Sequence, residues 1–114
     1  MIRRTKIVLI GIITCLFAGC ASQGTSIGDN AYLQQGQRDF KAGYYRQTLR
    51  ELMPLAQAQN PKAQYTVGYL YYYGRGVAQD KEIGIIWIER AAKQHYAPAV
   101  KALKIIRSHA VSHD

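Results

Sequence analysis

Start and stop signals for short helices limit the fold of this 114-residue chain more than any other feature. Asn60 followed by Pro61 is a strong helix start, because Asn caps free amide groups and Pro suits the first helical position. Gly74-Arg75-Gly76 ends that helix, Asp80 can cap the next one, and Pro98 can open another. These signals predict helices over residues 61–73, 81–94 and 98 to about 107.

The preceding stretch predicts two further helices, over residues 31–41 and 44–58, with Gly43 ending the first of them. Leu49, Leu52 and Ala56 recur at spacings of three and four and form one apolar stripe. Pro54 lies inside the second helix and is expected to kink or shorten it, because it removes a backbone hydrogen bond. No segment alternates like a β-strand, so the sequence predicts an all-α chain.

The helix over residues 81–94 is apolar around most of its circumference. Its large apolar residues are Ile83, Ile85, Ile86, Trp87 and Ile88. A helix with so broad an apolar surface is covered on more than one side. The sequence therefore predicts stacked antiparallel hairpins, a short solenoid of about five helices.

Small, aromatic and glycine residues recur from Ala63 to Ala99 in a pattern that resembles a Sel1-like repeat, a relative of the tetratricopeptide repeat. The positions that carry the resemblance are Ala63, Gly68, Tyr71, Gly74, Gly76, Val77, Asp80, Trp87, Ala91, Ala92, Ala97, Pro98 and Ala99. In such repeats glycine and alanine let helices approach closely, and we expect Tyr71 and Trp87 to fill the remaining gaps. The predicted repeat domain covers residues 30–107, and residues 108–114 are expected to form a frayed tail.

Two residues depart from the pattern of the resembled family. Gly84 stands where the family favours Ala, which predicts a helix weaker by up to about 1 kcal/mol. His95 stands where Gly usually ends the second helix, which predicts a strained or altered turn. The chain holds about one and a half to two repeats, whereas three or more are usual. We therefore expect the last helix to act as a cap, or a partner to complete the stack.

The N-terminus has the order of a bacterial secretory signal, with Arg3, Arg4 and Lys6 before an apolar block over residues 7–18. The block is about a dozen residues, and a membrane-spanning helix needs about 20. Residues 1–19 are therefore predicted to be a signal peptide rather than a permanent membrane span.

The residues before Cys20 resemble a lipobox, the site at which a bacterial lipoprotein is cleaved and acylated. Phe17 stands where Leu is usual, and an ordinary or uncleaved signal is the alternative interpretation. The resemblance implies a lipid, including palmitate, on Cys20, and Ala21 after it favours the outer membrane over the inner one. Residues 20–29 are small and polar and are expected to form a flexible tether.

Tyrosine is abundant, with nine residues. At about 100° per residue, Ala63, Val67, Leu70 and Tyr71 share one side of their helix, while Tyr65, Tyr69 and Tyr72 share roughly the opposite side. Tyrosine suits contact surfaces because it combines area, low entropy cost and a polar tip. These three tyrosines are therefore candidate partner-binding residues in a concave groove. The alternative is that their rings pack against the first hairpin.

Residues that could carry chemistry are sparse. His109 and His113 have spacing that can bind a metal, but they lie at the chain end without a fixed third ligand, so a solvated tail is the preferred interpretation. Neither a P-loop nor a nucleophile motif is present. We therefore expect no enzyme, cofactor, resident metal or small-molecule substrate, and an exported, tethered chain argues against nucleic acid as a partner.

Together these patterns predict a lipid-anchored adaptor of the cell envelope that binds a protein or peptide in a helical groove. From Cys20 onward the chain carries about five more cationic than anionic side chains. With the tyrosines, this mild excess leaves open a second possibility, binding of cell-wall glycan or of an enzyme that acts on it.

Overall fold

The computed structural model describes residues 27–112, which form five α-helices packed as sequential hairpins. They are α1 (Ile27–Ala42), α2 (Tyr45–Gln57), α3 (Pro61–Tyr73), α4 (Lys81–Lys93) and α5 (Ala97–Val111). The main contacts join helices that are consecutive in the chain. The predicted all-α fold is confirmed. The predicted signal peptide, Cys20 and His113 lie outside the described residues.

The predicted helix starts at Asn60 and Asp80 are confirmed. The Asn60 side-chain oxygen accepts hydrogen bonds from the backbone amides of Lys62, at 3.1 Å, and Ala63, at 3.0 Å. Asp80 accepts one from the amide of Ile83 at 3.0 Å. Each cap satisfies amide groups that have no partner within their own helix, so α3 and α4 begin where the sequence places them.

The helices α1 to α4 all end in the same way, with one residue in the left-handed conformation. These residues are Gly43, Gln59, Gly74 and His95, with φ between 61° and 85°. After α4, the amide of Tyr96 donates to the carbonyl of Ala91 at 3.2 Å, and the amide of His95 donates to that of Ala92 at 2.9 Å. This pair of bonds is a Schellman motif. The turn at His95 therefore keeps the normal geometry but places a bulkier residue where glycine is favoured.

Two helix boundaries differ from the sequence prediction. α1 begins at Ile27, inside the predicted tether, because Gly28 lowers helix propensity without ending a helix. By contrast, α2 spans Pro54 as predicted and ends at Gln57, one residue before the predicted end. α5 extends to Val111 instead of stopping near Arg107, because no glycine or proline interrupts its last turn.

Two apolar clusters form the core, and α4 contributes to both. In the first, Leu52, Leu55 and Ala56 of α2 pack with Ala63 and Val67 of α3, and Trp87 of α4 packs against them. The second consists of Ile88 and Ala91 of α4 with Ala99 and Leu103 of α5. The prediction that α4 is covered on more than one side is confirmed. Ile83 and Ile86 nevertheless remain exposed.

The two rings expected to fill the gaps are less buried than the sequence suggests. Tyr71 and Trp87 both pack against the first cluster, but each is only half-buried. The guanidinium of Arg90 lies 4.6 Å from the centre of a Trp87 ring. The close helix contact is instead formed by glycine, because Gly68 of α3 and Gly84 of α4 are buried where the two helices meet. We call this contact the glycine seam.

The expected cost of Gly84 in helix propensity is not the only effect of this residue. A Cβ atom on Gly84 would lie 2.7 Å from the backbone nitrogen of Tyr72 and 2.8 Å from the carbonyl oxygen of Gly68. Alanine, the residue that the resembled pattern favours, would push the two helices apart. Gly84 therefore permits a helix contact that a side chain would prevent.

A glutamine network joins the ends of three helices. The Gln64 side chain is fully buried and donates to the carbonyl of Ala56 at 3.1 Å and to the side-chain oxygen of Gln59 at 3.3 Å. Its own oxygen accepts a hydrogen bond from Gln94 at 2.9 Å. Because the buried amide is bonded on both sides, it holds the end of α2 and the end of α4 against α3.

Candidate functional site

Four tyrosines of α3 line a groove between α3 and α5. They are Tyr65, Tyr69, Tyr72 and Tyr73. On the other side of the same helix, Ala63, Val67 and Leu70 are fully buried. The three tyrosines singled out from the sequence therefore lie together on one helix face, opposite these fully buried residues, and Tyr65 also packs against the second apolar cluster.

The opposite wall of this groove comes from α5 and is apolar except for Lys101. Its residues are Pro98, Lys101, Ala102, Ile105 and Ile106, and Ile88 of α4 also lines the cavity. The cavity has a volume of about 320 Å³. Tyr73 and Ile105 are about half exposed, at 55% and 49%. We call this surface the tyrosine groove. It can accept an apolar side chain between aromatic and aliphatic walls.

Ring-to-ring contacts hold the tyrosines in place. The Tyr69 ring lies 5.4 Å from that of Phe40 in an edge-to-face arrangement and 4.6 Å from that of Tyr73. The Tyr65 ring lies 5.7 Å from that of Tyr96. Such pairs are worth about 0.5–1.5 kcal/mol each beyond the area that they bury. Tyr69 packs on the first hairpin through Phe40 and also lines the groove, so its position fits both interpretations from the sequence, and its role in partner binding stays a prediction.

A second cavity lies between α1 and α3, next to the tyrosine groove. Its volume is about 260 Å³, and its lining residues are Gln37, Phe40, Lys41, Lys62, Tyr65, Thr66 and Tyr96. Tyr65 lines both cavities. We call this second surface the lysine cavity, because Lys41 and Lys62 are its charged residues.

Burial raises the pKa of the Tyr65 hydroxyl above its ordinary value, and the nearby hydroxyls of Tyr96, Tyr69 and Tyr73 raise it further. The hydroxyl is therefore protonated at neutral pH and can donate a hydrogen bond. The ammonium group of Lys81 lies 5.7 Å from the ring centre of Tyr72, within the range of a cation–π contact.

The sequence prediction missed Tyr73 and the whole α5 wall of the groove. Tyr73 lies four residues after Tyr69 on the same helix, so helical spacing alone could have included it. Lys101 and Ile105 have the same spacing on α5. This spacing indicates a shared wall of the groove only once α5 is known to lie beside α3.

Other residues that the repeat pattern singled out have structural roles. A Cβ atom on Gly76, which has φ of 70°, would lie 2.6 Å from the backbone nitrogen of Arg46. The loop after α3 therefore rests directly on the start of α2. Ala91 and Ala92 belong to the contact between α4 and α5.

The described residues contain no group of three or more His, Cys, Asp or Glu side chains that could hold a metal ion. His109 lies exposed on α5. In residues 27–112, no helix is both long and apolar enough to cross a lipid bilayer.

The side-chain caps of α3 and α4, the glycine seam between these helices and the tyrosine face of α3 all belong to one helical hairpin. Residues 61–96 match the Sel1 repeat. The match covers α3, the glycine loop, α4 and the turn at His95. Sel1 repeats generally serve as protein-interaction modules, and the match contains no catalytic domain. A comparison with curated proteins gives no match to this chain. In its arrangement of consecutive hairpins, the described part of the chain is consistent with a Sel1 repeat solenoid.

Proposed function

We propose that this protein is a lipid-anchored adaptor of the bacterial cell envelope that binds a protein or peptide partner in the tyrosine groove. The observation that carries the proposal is the groove itself, which four tyrosines line on the helix face opposite the fully buried residues of α3 in the Sel1 repeat. The adaptor contributes recognition and attachment rather than chemistry.

The shape and composition of the groove favour a polypeptide partner. Its cavity of about 320 Å³ is open on one side and has an isoleucine wall. Interface hot spots are enriched in tyrosine, and their side chains sit in well-packed pockets. The aromatic contacts of Tyr69 reduce the side-chain entropy that a partner would otherwise have to offset on binding.

The anchoring part of the proposal is supported by the N-terminal sequence pattern. Positive residues, a short apolar block and small residues precede Cys20, which is the only cysteine after the predicted cleavage site. A lipid on Cys20 would place the repeat on the periplasmic side of the outer membrane. Residues 21–26 would then separate that lipid from the start of α1.

Site-specific photocrosslinking in living cells tests this proposal. The crosslinking amino acid replaces Tyr73, which is 55% exposed in the groove, and in a matched control it replaces Ile86, which is 49% exposed on α4 outside the groove. We expect a discrete protein adduct from position 73 and none from position 86. Equal adducts from both positions, or none from either, would count against the groove as the binding surface.

Co-sedimentation with purified cell wall tests the alternative partner, which is cell-wall glycan. A glycan binder would co-sediment with cell wall that has been stripped of protein, and Tyr69→Ala would abolish that co-sedimentation. The adaptor should remain in the supernatant.

A further inference from the structure

The charges around the two cavities are all of one sign. Lys101 lines the tyrosine groove, and Lys41 and Lys62 line the lysine cavity. In the part of the chain that the structure describes, no Asp or Glu side chain lines either cavity. A partner that enters this face therefore meets positive charge without a compensating carboxylate, and its own charge will decide whether it binds.

The two cavities adjoin each other at Tyr65 and have different chemistries. Tyr65 lines both of them, and its ring is paired with Tyr96, which lines the lysine cavity. On one side of Tyr65 the walls are aromatic and aliphatic. On the other side they carry two ammonium groups that are exposed to solvent. A ligand that spans Tyr65 would place an apolar side chain on one side and a charged side chain on the other.

We propose that the ligand of this face is an acidic peptide segment in which an apolar anchor residue is flanked by carboxylate side chains. The anchor occupies the tyrosine groove, and the carboxylates contact Lys62 and Lys41 on one side and Lys101 on the other. The Tyr65 hydroxyl can donate a hydrogen bond to one of these carboxylates. This inference rests on the proposed function, because it specifies the class of peptide that the same surface selects.

Three fluorescein-labelled peptides test the inference against the full-length protein in nonionic detergent. The first has a central phenylalanine flanked by glutamates, the second replaces the glutamates with glutamines, and the third replaces the phenylalanine with alanine. Fluorescence anisotropy at low salt measures each Kd. We expect the first peptide to bind at least about tenfold more tightly than either of the others, which corresponds to about 1.4 kcal/mol.

Lysine variants show whether the preference belongs to this face. Lys62→Gln combined with Lys101→Gln should reduce the preference for glutamate over glutamine to about twofold or less. Lys104→Gln is the matched control, because Lys104 is also an exposed lysine of α5 but lines neither cavity. It should leave the preference unchanged. All three lysines are exposed, so these changes should leave the helical content, measured by circular dichroism, unaltered.

The outcomes separate this inference from the proposed function. If the glutamate and glutamine peptides bind equally and Tyr69→Ala weakens both, the groove binds peptides without regard to charge, and the inference is wrong while the proposed function stands. If Lys104→Gln lowers the preference as much as the double variant, the effect is non-specific attraction, and the inference is wrong. Failure of all three peptides to bind would contradict the inference, whereas the proposed function is decided by the crosslink from position 73.

Discussion

Gly68 and Gly84 face each other across the contact between α3 and α4, and each occupies space that a Cβ atom on the other would need. A Cβ on Gly68 would lie 2.7 Å from the Gly84 carbonyl oxygen, and one on Gly84 would lie 2.8 Å from the Gly68 carbonyl oxygen. The atoms in the way are backbone atoms, which cannot move aside as the end of a flexible side chain can. The two helices therefore depend on both glycines.

Gly84→Ala should destabilise the protein although alanine is the better helix former. Alanine gains about 1 kcal/mol in helix propensity, but overpacking at a tight contact costs about 1–3 kcal/mol or more. Because backbone atoms block the Cβ atom, we expect the upper end of that cost and a net loss of about 2 kcal/mol in the free energy of unfolding. Urea denaturation followed by circular dichroism measures it. Ala110→Gly, at an exposed position of α5, is the control and measures the effect of helix propensity alone. A gain in stability for Gly84→Ala would contradict the close contact at the glycine seam.

His95→Gly should stabilise the protein. His95 has φ of 61°, which is unfavourable for a residue with a side chain. Glycine removes a backbone strain of about 1–2 kcal/mol. It also gives the unfolded chain more conformational entropy, which lowers the free energy of unfolding by about 0.4–1 kcal/mol. The net gain in the free energy of unfolding should be about 0.5–1 kcal/mol. A thermal melt would detect this gain. Gly74→Ala, at φ of 65°, should have the opposite effect. A loss of stability in His95→Gly would mean that the imidazole makes a stabilising contact.

Gln64→Leu should destabilise the protein despite replacing a buried polar residue with an apolar one. It leaves the Ala56 carbonyl and the Gln94 side chain without the amide that now bonds them. Each of these groups keeps a second hydrogen bond, with the Gln59 amide and the Gln59 carbonyl, so the expected loss is that of the hydrogen bonds themselves, about 0.5–1.5 kcal/mol each. Gln57→Leu, at an exposed position of α2, is the control and should change stability little. Equal midpoints of urea denaturation for the two variants would show that the network contributes nothing.

Cys20→Ser should abolish labelling with radioactive palmitate and release the protein from the membrane fraction. The thiol is the acceptor in lipoprotein processing, and the serine hydroxyl does not replace it. Gel autoradiography of cells fed labelled palmitate gives the result. Undiminished labelling of the variant would remove the lipid anchor from the account.

The sequence predicts the boundaries of α3 because the signals there are local. The Asn60 cap, Pro61 and Gly74 each act within one helical turn, so no knowledge of other helices is needed. The unfavourable backbone at His95 was predictable for the same reason. The common face of Tyr65, Tyr69 and Tyr72 follows from helical geometry alone.

Features that depend on a second helix were not predictable from local patterns. The need for glycine at position 84 arises only because Gly68 lies opposite it. The exposure of Trp87 depends on how much of its ring the first apolar cluster covers. Lys101 and Ile105 become part of the candidate site only because α5 folds back beside α3, and no spacing within either helix indicates that arrangement.

The most direct test uses the partner protein that is crosslinked from position 73. Its affinity is measured for groove variants of the purified chain. Tyr73→Ala combined with Ile105→Ala removes exposed apolar area from both walls of the groove, whereas Ile86→Ala removes exposed apolar area from one side chain of α4 outside it. Isothermal titration calorimetry measures both. We predict at least about a tenfold rise in Kd, about 1.4 kcal/mol, for the groove variant and no change for Ile86→Ala. An unchanged Kd for the groove variant, with its helical content intact, would contradict the central claim that this groove holds the partner.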